Sequence, residues 1–225
     1  MKIDLPTRKA KSRLVIGPFY RGYPVMQDKG PFLSQYLDRT IDVTDDALEA
    51  HPRTFAVRFD LRIPQVCEGL DEHKLINRFM NSLRAKIAWA RRRAAKTAMK
   101  GRVHRTDVRY LWAREVGQRG RPHYHFVVLL NRDAYRVMGK YEVGRDNLYS
   151  RILEAWASAL GMDVEDAVGL VHVPRNATYE IDADDQESQD AFFYRVSYMA
   201  KSATKVLGSR HSFGSSRRSV RPRWR

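Results

Sequence analysis

The sequence has one cysteine, Cys67, and no apolar run of the roughly 18 residues that a membrane helix needs. A single cysteine excludes an intrachain disulfide and a zinc cluster built on several cysteines. Residues 1–20 carry charges on both sides of a short apolar patch, so they lack the apolar core of a secretory signal. These absences predict a protein of the reducing cytoplasm.

Acidic residues are also scarce, because 26 Asp and Glu stand against 41 Lys and Arg and give a formal net charge of +15. Such an excess is typical of a protein that binds a polyanion. The basic residues concentrate in two runs, 71–105 and 201–225. The ribosome, DNA, RNA and an anionic membrane are all possible partners. Either run alone is as typical of a solvated helix face or a disordered tail, but two runs in a chain of this net charge favour nucleic acid.

Apolar periodicity predicts alternating strands and helices after residue 50. A period of two predicts strands at 53–63, 107–116 and 123–131, and a short apolar run adds one at 169–174, whereas spacings of three and four predict helices from 71, at 147–160 and at 189–206. A sequential hairpin flanked by helices favours an α+β domain whose antiparallel sheet is covered on one face. Residues 1–50, rich in Gly, Pro and charge, are predicted to form an N-terminal arm or lid, residues 51–210 the domain, and residues 211–225 a basic C-terminal tail.

Two histidines begin the strand predicted at 123–131. His123 and His125 are one residue apart, so they leave the same face of a strand. In a hairpin centred near Arg119, Glu115 lies directly opposite His123 and joins both imidazoles. Two histidines alone are more often ordinary surface residues, but two histidines and a carboxylate with open positions form a site for a divalent ion, which suits Mn²⁺ better than Mg²⁺. A closed zinc site would need a fourth ligand.

The last predicted helix has two distinct faces. Tyr194, Tyr198, Lys201 and Lys205 share one face, and apolar side chains occupy the other. Tyrosines that only pack would lie in the apolar stripe. Because a phenol is a weak nucleophile at neutral pH, it needs a base or a positive charge beside it. Lys201, one turn from Tyr198, is placed to favour the phenolate or to hold a phosphate.

Three segments, in this order, resemble the HUH endonucleases, the rolling-circle replication initiators and their relatives. The segment "TFAVRFDL" is similar to the first conserved strand of that family. The segment "RPHYHFVVLLN" is similar to its His-hydrophobic-His strand, with Glu115 as the acidic ligand before it, and "YRVSYMAK" is similar to its tyrosine motif. The chain most resembles the replication proteins of filamentous phages (inoviruses), whose closing segment is similar to "RHSFGSSR".

The resemblance implies an RRM-like or ferredoxin-like antiparallel sheet flanked by helices, with Mg²⁺ or Mn²⁺ on one face and the tyrosine helix against it. It implies that Tyr198 attacks a phosphodiester of single-stranded or origin DNA, becomes linked to the 5′ phosphate and leaves a free 3′ hydroxyl. Tyr194 is implied as a second nucleophile, as in members with two tyrosines, and Lys201 as the family's lysine.

The remaining predictions concern partners. The sequence has no Gly-x-x-x-x-Gly-Lys-Ser/Thr loop, so unwinding is expected to need a host helicase, and synthesis a host polymerase. The basic side chains predicted to contact the DNA backbone are Arg84, Arg91, Arg92, Arg93, Lys205, Arg217 and Arg218. Trp89 and Trp224 could stack on unpaired bases. The alternatives are core packing for Trp89 and a position in a disordered tail for Trp224. Two alternatives to a replication initiator are a transposase or mobilisation relaxase with the same chemistry, and a non-catalytic nucleic-acid-binding protein on a decayed domain.

Overall fold

An antiparallel sheet forms the centre of the molecule, in a computed structural model that describes residues 13–67, 69–98, 103–117, 120, 122–203 and 212–217. The described α-helices are α1 (Ser34–Ala50), α2 (Glu72–Thr97), α3 (Leu148–Leu160) and α4 (Gln186–Ser197). The strands are β1 (Leu14–Val15), β2 (Phe19–Tyr20), β3 (Tyr23–Pro24), β4 (Phe32–Leu33), β5 (Arg53–Arg62), β6 (Arg109–Val116), β7 (Pro122–Asn131), β8 (Val171–His172), β9 (Thr178–Asp182) and β10 (Phe213–Ser215). The protein is therefore α+β with antiparallel sheets, as predicted.

The strand order of the main sheet is β10-β6-β7-β5, and β8 and β9 both pair with the far edge of β5. The long hairpin of β6 and β7 was predicted from its alternating residues and is confirmed. Helices α2 and α3 also agree with the predicted bounds within a few residues. Asn147 caps the start of α3 by accepting a hydrogen bond from the backbone of Ser150, and Gly161 ends the helix in a left-handed conformation.

One face of the sheet is largely apolar where α2 and α3 cover it, although Arg114 of β6 and Glu72 of α2 form an ion pair on this face. Strand β5 contributes Phe55, Val57, Phe59 and Leu61. Strand β7 contributes Tyr124, Phe126, Val128 and Leu130. These side chains alternate along each strand, as a period of two requires, and they form the larger core with the inner sides of α2 and α3.

The other face is also covered, so the predicted one-sided sheet is wrong. Helices α1 and α4 pack there against small and aliphatic side chains of the sheet. Helix α1 was not predicted from the sequence, and several of its buried positions are polar. Thr40 and Thr44 are buried, and their hydroxyls donate to backbone carbonyls one turn earlier, at 2.9 and 2.8 Å. These polar side chains are therefore hydrogen-bonded within the helix although they are buried.

Residues 13–50 belong to the domain and do not form a separate arm. The short hairpin of β2 and β3 turns through Arg21 and Gly22, both at positive φ, as its tight turn requires. Tyr23 of this hairpin stacks on Phe193 of α4 with ring centroids 4.7 Å apart. Aromatic packing and α1 therefore hold this segment, whose glycines and prolines suggested a lid.

The last predicted helix differs from the structure at both ends. Asp185 caps α4 by accepting from the backbone of Glu187 and Ser188, so the helix starts earlier than predicted. The α-helix then ends at Ser197, a 3₁₀ turn spans Tyr198–Ala200, and Lys201 has extended backbone that bridges to β4. Residues 204–206 of the predicted helix lie outside the described residues.

Two edge strands were missed by the sequence. Strand β9 lies in a stretch for which no element was predicted and pairs with β5, and β10 lies in the predicted tail and pairs with β6. Gly214 in β10 lies against Trp112, and a Cβ there would fall 2.5 Å from the indole, so only glycine fits. Within the described residues no helix is both long and apolar enough to cross a membrane.

Candidate metal and nucleophile site

The register of the β6–β7 hairpin brings the predicted metal ligands together. Glu115 pairs with His123, which confirms the predicted register, and Ala113 pairs with His125. On the other side of β7, Asp60 of β5 pairs with His125. The two histidines and both carboxylates lie on the sheet face that α1 and α4 cover, because Tyr124 and Phe126 point into the opposite core.

Glu115, His123 and His125 form a group that could bind a metal ion. Each offers one ligand atom, and these atoms all lie within 4.8 Å of one another. Glu115 and His125 are buried, with 4% and 5% of their surface exposed, whereas His123 is half-buried and leaves the group open toward solvent. The group therefore has a closed side made by protein and an accessible side.

The chemistry of these atoms fits a divalent ion. His125 Nε2 is buried and has no hydrogen-bond partner among the described residues, although Glu115 Oε2 lies 3.2 Å away. A buried ring nitrogen without a hydrogen bond is uncommon, and a metal ion would satisfy it. Two imidazole nitrogens and one carboxylate oxygen leave several positions for water or substrate oxygens.

Asp60 fixes the orientation of His125. Its Oδ1 lies 2.6 Å from His125 Nδ1, which leaves Nε2 turned toward Glu115. Arg58 Nη2 contacts both groups, at 3.3 Å from Asp60 and 3.2 Å from His125 Nδ1. A carboxylate on the second nitrogen of a histidine ligand commonly sets its tautomer and strengthens it as a ligand. The sequence did not identify Asp60, because only the pairing of β5 with β7 brings it to the site.

Contacts between charged groups shift the pKa values of His125 and Asp60. Burial disfavours the charged imidazole, but the neighbouring carboxylates of Asp60 and Glu115 outweigh burial and raise the pKa of His125. Burial also opposes the ionised form of Asp60, yet the hydrogen bond with His125 and the charge of Arg58 hold the pKa of Asp60 below its usual range. In the metal-free protein these residues thus form a chain of ion pairs.

Tyr198 and Lys201 lie directly beside the metal group. Lys201 Nζ donates to Tyr198 Oη at 2.5 Å and lies 3.0 Å from Glu115 Oε2. The Tyr198 ring packs edge-on to His125, with centroids 5.5 Å apart, and the Arg58 guanidinium lies over the same ring at 5.7 Å. Tyr198 begins the 3₁₀ turn that follows α4, and Lys201 comes directly after that turn. A continued α-helix was predicted here.

Tyr194 has different surroundings from Tyr198. It is 43% exposed and lines an open cleft with Phe19, Pro24 and Asp28 of the N-terminal segment. Tyr194 precedes the 3₁₀ turn by one helical turn, so it is close to the site in sequence. The contacts that define the site are nevertheless made by Tyr198. The cleft, of about 710 Å³, places the phenol at the surface.

The basic residues predicted on α2 lie on the far side of the sheet from Tyr198, because α2 covers the apolar face. Arg92 and Arg93 are exposed, and Arg84 is exposed with its guanidinium over the Tyr110 ring. Arg91 is half-buried and donates to backbone carbonyls of 104 and 134. Arg91 therefore has a structural use already and Arg93 pairs with Asp146 at 3.4 Å, whereas Arg84 and Arg92 present their charge to solvent.

The basic residues predicted near the C-terminus are only partly described. Arg217 is exposed at the end of β10, and its carbonyl accepts a hydrogen bond from Arg109 at 3.2 Å. Lys205 and Arg218 lie outside the described residues. The part of the predicted tail that is described is thus an ordered edge of the sheet.

Fold and site together define an α+β protein with a candidate His-His-Glu metal group beside a tyrosine and a lysine. The chain belongs to the YagK/YfjJ C-terminal domain family, whose model matches residues 17–216 and so includes α1. It is 37% identical to the uncharacterized protein YagK of Escherichia coli (strain K12) over 169 residues, 70% of this chain and 80% of YagK. It is 31% identical to the uncharacterized protein YfjJ of the same strain over 200 residues, 84% of this chain and 96% of YfjJ. No solved structure matches.

Proposed function

We propose that this protein is a metal-dependent endonuclease and strand transferase of the HUH type, which nicks and rejoins single-stranded DNA to start rolling-circle replication of a phage or related mobile element. The observation that carries the proposal is one continuous set of contacts. Lys201 touches Tyr198 at 2.5 Å and Glu115 at 3.0 Å, and Glu115 belongs to the group that could bind a metal. Packing of apolar surface alone does not explain why a phenol, an ammonium and two imidazoles lie in contact in this way.

The topology supports the RRM-like or ferredoxin-like identity of the domain. Strand β5, helix α2, strands β6 and β7, helix α3 and the paired edge β8/β9 follow one another as β-α-β-β-α-β. The strand order β6-β7-β5-β8/β9, antiparallel throughout, is the order that this motif adopts. Helices α1 and α4 and strand β10 are additions to that unit.

In the proposed reaction Tyr198 is the nucleophile. Its Oη forms a bond to phosphorus, and the bond between phosphorus and the 3′ oxygen breaks. The phenolic proton passes to water and the 3′ oxygen takes up a proton, so the products are a 5′ phosphotyrosine and a free 3′ hydroxyl. The ammonium of Lys201 stabilises negative charge on the phenolic oxygen as the proton leaves. Rejoining is the reverse reaction with a 3′ hydroxyl as attacking group, and Tyr194 is the second nucleophile.

The residues that would hold the cofactor are Glu115, His123 and His125. The chemistry that a bound Mg²⁺ or Mn²⁺ supplies is polarisation of the phosphodiester and stabilisation of its developing negative charge. Asp60 holds the ring of His125 at the angle that ligation needs. A host helicase and a host polymerase would act with the protein in the bacterial cytoplasm, because the proposed reaction supplies only the primer end.

A covalent adduct tests the proposal. The protein is incubated with Mn²⁺ or Mg²⁺ and with single-stranded DNA of its own element labelled at the 3′ end, so that the label stays with the 5′ phosphate. We expect a labelled protein band on a denaturing gel, reduced on the order of 10³-fold or more in Tyr198→Phe. Tyr194→Phe should still form the first adduct, and His123→Ala with His125→Ala should abolish it while salt-sensitive DNA binding persists.

Tyr141→Phe is a matched control, because Tyr141 is exposed and lies in the loop before α3. It should form as much adduct as the parent. The absence of an adduct with any divalent metal, or an undiminished adduct in the Tyr194→Phe, Tyr198→Phe double variant, would contradict the tyrosine mechanism. Cleavage of a transfer origin or transposon end in place of a replication origin would assign the same chemistry to a relaxase or transposase.

A further inference from the structure

A second cleft lies on the opposite side of the molecule, along the seam between α2 and α3. It has a volume of about 590 Å³, within the range of ligand sites in proteins. The side chains that line it and matter for binding are Lys86, Trp89, Arg92, Arg93, Arg151 and Glu154. Both helices rest on the apolar face of the sheet, so the cleft is separated from Tyr198 by the sheet itself.

Trp89 is the unusual residue of this cleft. It is 53% exposed, whereas Trp156 on the adjoining helix is fully buried in the core. Tryptophan is normally buried for most of its surface, and an indole that stays open on a helix gains nothing for folding. The guanidinium of Arg93 lies 5.3 Å from the centre of its ring. A flat aromatic surface with a cation beside it is the arrangement on which unpaired nucleic-acid bases stack.

The cleft is positively charged. Five cationic side chains line it against two acids, Asp146 and Glu154. Both acids are already engaged, since Glu154 lies 2.8 Å from Lys86 and Asp146 lies 3.4 Å from Arg93. Arg92 is exposed at the cleft and takes part in none of the ion pairs of the described residues. Because Lys86, Arg93, Arg145 and Arg151 each lie in an ion pair, Arg92 is the cation among the described cleft residues that a phosphate can reach without competing with an acid.

We propose that this cleft is an accessory site for single-stranded DNA, in which Trp89 stacks on an unpaired base and Arg92 and Arg93 hold the flanking phosphates. A single strand is favoured over a duplex because the faces of paired bases are covered by their neighbours, and Trp89 could reach only an exposed face. The site goes beyond the proposed nicking reaction, because it lies on the other side of the sheet. It would hold strand remote from the cleaved phosphodiester.

Binding to a short labelled oligothymidylate tests the site. Fluorescence anisotropy is measured in EDTA on a Tyr198→Phe background, so that neither a metal nor cleavage is needed. Trp89→Ala should weaken binding roughly 5- to 150-fold, as expected for the loss of one stacked base, without changing the salt dependence. Arg92→Ala should lower the slope of log affinity against log salt by about 0.7. Trp89→Phe keeps a stacking ring and should retain most of the affinity.

Two controls make the result specific. Lys74→Ala removes one charge from the same helix outside the cleft, and Lys74 is fully accessible, so it should not reproduce the loss caused by Trp89→Ala. A duplex of the same length should bind Trp89→Ala as well as it binds the parent. An affinity of Trp89→Ala for the single strand within twofold of the parent, or an equal loss on single strand and duplex, would overturn the proposal, whether or not the protein nicks DNA.

Discussion

The two faces of the central sheet use alternate residues of the same strands for opposite purposes. Phe59 and Phe126 face α2 and stack with centroids 5.6 Å apart, inside an apolar core. Their immediate neighbours Asp60 and His125 face α4 and meet at 2.6 Å. One residue of register thus separates the packing of the domain from its candidate site, and a slip by one residue would exchange the two.

The difference shows which interactions hold the fold and which serve a site. Buried charges cost free energy unless they are paired, and even a paired set seldom stabilises more than apolar side chains of the same volume. Arg58, Asp60, His125, Glu115 and Lys201 nevertheless form a connected series of contacts on one face. The apolar face already supplies the driving force for folding, so the charged series is best explained by chemistry at that site.

Substituting the two neighbours Phe126 and His125 should separate these roles. Phe126→Ala leaves a large cavity in the core and should lower the free energy of unfolding by about 3–5 kcal/mol, with metal affinity kept wherever the protein is folded. His125→Ala leaves Glu115 paired with Lys201 and should cost about 1–3 kcal/mol, but it should abolish metal binding. Urea unfolding and Mn²⁺ titration measure the two effects.

The parent protein and Tyr141→Phe, which removes only the hydroxyl of an exposed side chain, set the reference values. If His125→Ala were as destabilising as Phe126→Ala and still bound Mn²⁺ like the parent, the assignment of the two faces would be wrong. Equal loss of metal affinity in both variants under folding conditions would also contradict it, because the core side chain does not touch the ligands.

The sequence revealed the apolar face and part of the site because both depend on local patterns. A period of two predicts β5 and β7, and the hairpin loop is short enough to place Glu115 opposite His123. Asp60 could not be found in this way, because it reaches His125 through a pairing between strands far apart in the chain. The charged face therefore needed the long-range register that the structure provides.

The parts of the fold that the sequence did not predict have different physical causes. Helix α1 places Thr40 and Thr44 at buried positions, where their hydroxyls bond to the helix's own backbone, and it follows the Gly- and Pro-rich stretch that suggested a lid. Strand β10 is only three residues long, and its place depends on the fit of Gly214 against Trp112. The end of α4 at Ser197 follows from tertiary contacts of the next residues with β4, which no local propensity records.

Asp60→Asn tests whether a residue outside the three proposed ligands affects metal binding at the charged face. The amide keeps the shape of the side chain but removes the charge that strengthens His125 as a ligand. We expect Mn²⁺ affinity to fall about 10- to 100-fold, and the unfolding midpoint to fall as well, because the buried Arg58 loses its charged partner. Asp163→Asn, at an exposed position after α3, should leave affinity unchanged. An unchanged affinity in Asp60→Asn would show that Asp60 serves only to pair Arg58.

The smallest expected effect concerns pH, and it has opposite signs for stability and for metal binding. The pKa of His125 is raised in the folded, metal-free protein, because the neighbouring carboxylates of Asp60 and Glu115 outweigh burial. The stabilisation from these contacts is therefore fully present below the unfolded pKa of about 6.5 and is lost as the pH rises through the folded pKa. A metal needs the neutral imidazole, so its affinity should rise over that same range.

Thermal unfolding with and without Mn²⁺ across this pH range measures both trends. The metal-free melting temperature should fall toward higher pH, while the increase caused by Mn²⁺ should grow. In Asp60→Asn the contact that raises the pKa of His125 is weakened, so the growth of the metal effect should begin at lower pH than in the parent. Parallel trends with and without metal would mean that His125 is not a ligand, because the proton and the ion would then not compete for Nε2.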